Sequence, residues 1–215
     1  MPENVKPRRP YRSARRQQSA AETRDAVLSA AKAAFLRDGW TRTTIASIAR
    51  DASVSAETVY AVFGNKRALI KVLVGQAVRR EAPDVPLLEQ AGPRAVSAAR
   101  DPASLLTLFA NDIVSILEQV APLVAVVQEA ALSEPELDEL YREIHAGRRR
   151  NLAAVATALA NLGPLRGGMS KAEALDTIWR AASPEQFMLC RRVEGLSVEE
   201  YADWLSGILT RVLLD

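Results

Sequence analysis

With 215 residues, 25% of them charged and 48% hydrophobic, the chain is long enough for one large or two small domains with a proper core, which excludes global disorder. Its single cysteine, Cys190, excludes a disulfide framework and a cysteine-rich zinc module and fits the reducing cytoplasm; no apolar run reaches the roughly 18 residues of a membrane span, and no secretory signal is expected. The formal net charge of +2 divides into 16 Lys+Arg against 6 Asp+Glu in residues 1–80 and 12 against 20 in residues 81–215, so a polyanion-binding head is expected on an acidic remainder.

Residues 1–19 hold Lys6, Arg8, Arg9, Arg12, Arg15 and Arg16 among three prolines, without helical or strand periodicity. They are expected to form a flexible basic arm, either a solubilising tail or a DNA contact. From Ala21 the pattern turns helical, with Val27, Leu28, Ala31, Ala34 and Phe35 on one face. Gly39 is placed to end that helix as a left-handed cap, with Trp40 folding back on the last turn. Thr43 is the expected N-cap of a short helix around Thr44–Asp51, with Ile45, Ile48 and Ala49 inward. After a tight turn, Ser55 caps a second short helix through Val62, with Val59 and Phe63 inward, and Asn65 caps a longer helix from Lys66 to about Arg80.

Two short helices joined by a tight turn after a longer one make a helix-turn-helix unit. Such a unit lays its second helix in the DNA major groove, where side chains near the N-terminus meet base edges. That helix here reads Ser55-Ala56-Glu57-Thr58-Val59-Tyr60. Specificity is expected from the turn that holds Ser55, Ala56, Glu57, Thr58 and Tyr60, with Thr58 in reach of either a base or a phosphate and Tyr60 a backbone contact in preference to mere packing. Positioning contacts to phosphate are expected from Thr43 and Lys66, where helix N-termini favour an anion, and Arg42 and Thr44 are further candidate DNA contacts.

The segment Glu22–Lys66 resembles the DNA-binding domain of the TetR family of transcriptional regulators. The matching residues are Ala30-Ala31 with Phe35, Gly39-Trp40, Thr43-Thr44, Ile48-Ala49, Val54-Ser55, Thr58-Val59-Tyr60, Phe63 and the run Asn65-Lys66-Arg67-Ala68-Leu69. The resemblance implies a homodimeric regulator whose second domain binds a small molecule and thereby lowers operator affinity. Two positions depart from the pattern. Ser53 stands where glycine is usual, so a left-handed backbone there would cost up to about 1 kcal/mol. Val62 replaces the common histidine before the phenylalanine.

Beyond residues 82–100, a connector with three prolines and one or two helical turns, proline and capping residues repeat a helix-start grammar. Helices are expected near 102–119, 122–132, 135–161, 170–181, 184–193 and 198–213. On the 135–161 helix Leu137, Leu140, Tyr141, Ile144, Arg148, Leu152, Val155 and Leu159 form one stripe. Arg148 interrupts it, facing either an acidic ligand or a carboxylate such as Asp112; an internal ion pair or a solvated edge is the favoured reading. An apolar effector cavity is expected among the 102–119, 122–132 and 135–161 helices, with Phe109, Asp112, Ile113, Tyr141, His145 and Arg148 as candidate ligand contacts, although a lone histidine is more often structural. Trp179, Phe187 and Trp204 are expected in the core or a dimer contact, and Cys190 as inert apolar filler. Trp204, Gly207 and Ile208 mark the expected dimer face of the last helix, where a mid-helix glycine suits close approach by another helix.

The expected fold is therefore all-α: an arm over 1–19, a helix-turn-helix domain over 20–66, and a helical ligand-binding and dimerisation domain over 67–215. The expected partners are a near-palindromic operator, a second copy of the chain and a small-molecule effector; no membrane, cofactor or metal is expected. One histidine, one cysteine, no dinucleotide-binding glycine fingerprint and no phosphate loop argue against an enzyme. The alternative from another class is a helical protein-interaction module without specific DNA binding.

Overall fold

The structure, a computed structural model, describes residues 11–80 and 84–215. Among these residues there are ten α-helices and no strand: α1 (Tyr11–Arg42), α2 (Ile45–Asp51), α3 (Ala56–Phe63), α4 (Lys66–Arg79), α5 (Ala91–Ser97), α6 (Pro102–Ala131), α7 (Pro135–Leu162), α8 (Lys171–Ala181), α9 (Pro184–Leu189) and α10 (Val198–Leu213). The chain divides into two compact units between Ile70 and Lys71, inside α4.

In the N-terminal unit the apolar stripe of α1 is buried as its spacing requires, with Val27, Ala31, Ala34 and Phe35 fully enclosed. The helix begins at Tyr11 rather than Ala21, so the expected arm is helical over residues 11–19, and its first ten residues lie outside those described. Gly39 takes the left-handed φ of +73° that turns the chain, and Trp40 stacks back on Phe35 at 5.7 Å between ring centroids. Helix α2 starts one residue later than expected. Thr44, not Thr43, is the N-cap, in a reciprocal capping box with Ser47. Thr43 is buried instead, its hydroxyl donating at 2.7 Å to the Gly39 carbonyl four residues back. Ser53 adopts the anticipated left-handed backbone, φ +56°. Ser55 caps α3 by accepting from the Thr58 amide, and Asn65 caps α4 through the Ala68 amide at 2.7 Å.

In the C-terminal unit α6 is the central helix, packed by α5, α7, α9 and α10, while α8 lies against α7 and α10. Two helices were expected where α6 runs unbroken through Pro122. Proline removes one helical donor and favours a first-turn position, but Leu117, Val120, Ala121, Leu123 and Val124 around it are all buried, and that packing holds the helix together. Among the described residues α6 is also the one helix long and apolar enough to cross a membrane by composition; most of its apolar window is buried inside the protein, as in the core helix of a bundle. The expected 184–193 helix changes pitch: α9 ends at Leu189, and Cys190–Glu194 is a π-helical turn closed by Gly195 at φ +77°. Cys190 is buried there, as anticipated. Phe187 is core, edge-on to Tyr201 at 5.0 Å. The connector before α6 forms a 3-10 turn, Leu87–Glu89, and α5.

Candidate functional site

The helix-turn-helix presents a polar edge whose position follows from capping and burial. Val59 and Phe63 anchor α3 inward, and the Arg24 guanidinium covers the Phe63 ring at 4.7 Å. Ser55, Glu57 and Tyr60 are thereby exposed, with Ala56 and Thr58 half-buried beside them. Tyr60 is 54% exposed, unusual for a large aromatic ring with a polar tip. The Ser55 hydroxyl is used twice, as the cap and at 3.1 Å from the Thr58 hydroxyl. The Glu57 carboxyl is held below its ordinary range by its own backbone amide and the Ser55 hydroxyl. Arg42 and Thr44 are exposed at the start of the motif, Arg42 bonded through Nε to the Asp38 carbonyl at 3.1 Å.

Two residues expected at phosphates make bonds within the fold. Thr43 is 1% exposed, so its hydroxyl faces no polyanion. The Lys66 ammonium donates to the carbonyls of Trp40 at 2.9 Å and Thr43 at 3.1 Å and lies 4.0 Å from the centre of the Trp40 ring. Sequence spacing puts Lys66 at a helix N-terminus, but the Trp40 and Thr43 carbonyls lie within its reach and draw the ammonium inward. The charge expected on a DNA phosphate locks the end of α1.

The C-terminal unit encloses a cavity of about 460 Å³, within the size range of small-molecule sites. Its walls are mainly hydrocarbon: Phe109, Ile113, Ile116, Leu117, Val120 and Val124 of α6, Ile144, Leu152 and Val155 of α7, Val74 and Val78 of α4, and Leu87, Leu88, Pro93 and Val96 from the connector. Of the expected ligand contacts, Phe109, Asp112, Ile113 and Arg148 line it. The contribution of α4 and the connector was missed, because periodicity describes one helix at a time and carries no signal for which helices share a void.

Asp112 does not meet Arg148. It accepts from Arg80 Nη2 at 2.8 Å, while Arg80 Nη1 donates to the Ser115 hydroxyl at 2.6 Å. The left-handed backbone of Arg80, φ +54°, aims that side chain. Gly92 makes room for the carboxylate: a Cβ there would stand 1.8 Å from Asp112 Oδ1. Tyr141 and His145 belong to a second cavity of about 430 Å³, lined also by Arg142, Arg148, Trp179, Arg180, Ser183 and Glu185. Trp179, expected in the core or a dimer contact, is therefore one of its walls. Tyr141 donates to Glu185 Oε1 at 2.7 Å, and His145 Nε2 stands 3.2 Å from the same oxygen but outside hydrogen-bond geometry. Burial would raise the Glu185 carboxyl, yet the His145 and Tyr141 contacts outweigh it and hold the group down at about 2. Burial and the Glu185 charge push the Tyr141 phenol well above its usual range.

On α10 the buried positions are Tyr201, Leu205, Leu209 and Leu213, one every four residues, with Ala202 beside them, turned toward the unit's own core. Trp204, Gly207 and Ile208 lie beside it, half-buried. Among the described residues nothing crowds Gly207: a Cβ there would meet only the tip of Arg211, at 3.9 Å.

Residues 27–73 match the family model for bacterial regulatory proteins of the tetR family. A comparison with curated protein sequences finds no match. Among solved structures, the chain is similar to NalD of Pseudomonas aeruginosa, the secondary repressor of the MexAB-OprM multidrug efflux pump, at 22% identity and a TM-score of 0.68, covering 92% of this chain and 98% of that one. It is similar to FadR of Bacillus halodurans, a fatty acid degradation regulator, at 18% identity and a TM-score of 0.65, over 86% and 96% of the two chains. The TetR-family transcriptional regulator PfmR of Thermus thermophilus aligns at 20% identity and a TM-score of 0.62, over 88% and 99%. The segment with the exposed polar helix edge thus matches the tetR family of bacterial regulatory proteins, and the chain around it has the fold of solved regulators of that type.

Proposed function

We propose that the protein is a dimeric, sequence-specific repressor, released from a near-palindromic operator when a small apolar effector occupies the C-terminal cavity. The observation that carries this reading is the polar edge of α3. Ser55, Glu57 and Tyr60 stand exposed on a helix otherwise pinned by Val59 and Phe63, inside the segment that matches the regulatory family. With Lys66 and Thr43 committed to the fold, base and phosphate contacts fall to Arg42, Thr44, Ser55, Ala56, Glu57, Thr58 and Tyr60. Two such helices about 34 Å apart would enter successive major grooves. The surplus of basic residues before residue 81 supplies the salt-dependent share of affinity.

Dimerisation is assigned to α10. A mid-helix glycine costs about 1 kcal/mol relative to alanine, and no neighbour among the described residues requires it at 207; a second α10 passing over Gly207 between Trp204 and Ile208 does. The apolar cavity supports the effector reading: a ligand that prefers one arrangement of the two DNA-binding heads shifts the population toward it.

Selection from a random oligonucleotide pool is expected to enrich a palindromic site. Tyr60→Ala is expected to lower affinity for that site ten-fold or more in a gel-shift series, in line with roughly 1–3 kcal/mol for a specific contact, with dimer mass unchanged. Gly207→Leu is expected to yield monomers by light scattering. No enrichment even at low salt would leave a helical protein-interaction module as the better account.

A further inference from the structure

The α7 stripe places Arg148 one turn before Leu152 and two before Val155, on the wall of the hydrocarbon-lined cavity. Its Nη2 donates to the Trp179 carbonyl oxygen, and its guanidinium lies 5.4 Å from the Trp179 ring centre. Arg148 also lines the second cavity, on the Trp179 side. Among the described residues its Nε and Nη1 atoms have no hydrogen-bond partner and almost no accessible surface, which leaves three N–H donors that a ligand in the hydrocarbon-lined cavity meets only when the guanidinium turns toward it.

The carboxylates nearby are committed to other groups. Asp112 serves Arg80, Glu143 serves Lys71 at 2.7 Å, Asp176 serves Arg149 and Arg180, and Glu185 is engaged by Tyr141 and His145. Burial lowers the Arg148 guanidinium to about 10, and the charge of Glu185 only partly offsets that. An unpaired buried cation is costly, and here it adjoins a cavity with walls otherwise suited to a hydrocarbon body.

We infer that Arg148 makes this cavity selective for an apolar molecule bearing a single carboxylate, with the guanidinium as its counter-charge. The inference rests on the reading of the cavity as the effector site and names the chemistry of what enters it. One negative charge matches one unpaired guanidinium. A dianionic headgroup would bring surplus charge against Asp112 and Glu143, which also line the space. Once the guanidinium turns from Trp179 toward the cavity, carboxylate oxygens satisfy the unmet N–H groups through charge-assisted hydrogen bonds, while the body replaces water against α6.

The test uses the intact protein and three eight-carbon probes, octanoate, 1-octanol and octylamine, with acetate as the tailless anion, read by calorimetry. Octanoate is expected to bind at least ten-fold tighter than 1-octanol or octylamine, and at least ten-fold tighter than acetate. Arg148→Met is expected to bring octanoate down to the level of 1-octanol while 1-octanol binding persists, which also reports a folded cavity. Equal wild-type affinity for octanoate and 1-octanol, or a preference that survives Arg148→Met, would overturn the inference. Acetate as tight as octanoate would overturn it too, placing the anion in the polar second cavity. If no probe binds, both the inference and the cavity reading fail. If octanoate binds selectively through Arg148 but leaves the selected operator complex intact, the inference stands and effector release fails.

Discussion

The two units of this chain treat their interiors in opposite ways. In the N-terminal unit the core is closed: Phe35 stacks on Trp40, Lys66 is folded over that ring onto two carbonyls, and Thr43 is spent on a third. Its proposed working residues are left on the outside, along one edge of α3. In the C-terminal unit the core is left open around about 460 Å³, and a charged side chain with unmet donors sits on its wall. A partner too large to enter must be read by surface groups on a rigid scaffold, so the scaffold can be packed to completion. A small guest must be surrounded, so packing is withheld where it will sit.

Matched truncations test that contrast most severely. Phe35→Ala in the closed core is expected to cost about 3–5 kcal/mol, measured by urea unfolding. Phe109→Ala, on the cavity wall, is expected to cost no more than the low end of that range, about 3 kcal/mol, because the adjoining cavity gives its neighbours room to relax into the space left. Equal losses would mean that the C-terminal core is as fully packed as the other.

Next in size is the acid response of the second cavity. Glu185 is held at about 2 against an ordinary 4.5. A depressed carboxyl contributes stability that is present above its unfolded value and lost as pH falls through the folded one. Glu185→Gln is therefore expected to cost about 2 kcal/mol at neutral pH, with partial solvent exposure discounted. The difference between wild type and variant should shrink between pH 4.5 and 2. A constant difference across that window would detach the carboxyl from Tyr141 and His145.

Lys66→Met is expected to lower the stability of the N-terminal unit by about 1–2 kcal/mol, since two charge-assisted bonds to carbonyls disappear. A variant that keeps its melting temperature and loses only DNA affinity would return Lys66 to the phosphate-contacting set. The smallest effect is a gain: Ser53→Gly is expected to stabilise by up to about 1 kcal/mol, because glycine adopts φ +56° without a Cβ penalty.

Legibility follows the same division. The helix-turn-helix was readable because its signals are local. Ser55 and Asn65 cap where capping chemistry places them, Gly39 turns the chain, and Val59 and Phe63 point inward on a helical period. What that reading did not foresee, the internal bonds of Thr43 and Lys66, was decided by a carbonyl: four residues back for Thr43, and across the unit for Lys66. In the C-terminal unit the helix starts at Asp101, Ser170, Ser183 and Ser197 were legible for the same local reason. Pro122 misled because burial on both sides outweighed one missing donor.

The sequence by itself determined the all-helical architecture, the position of the motif, its inward residues and the strained turn at Ser53, since each depends on a few neighbours within one or two turns. Only the tertiary structure decided that Asp112 belongs to Arg80, that α4 and the connector close the cavity, and that Arg148 is left unpaired. Those outcomes are set by which of several chemically equivalent charges comes nearest in space, a competition between distant segments that spacing along a chain does not encode.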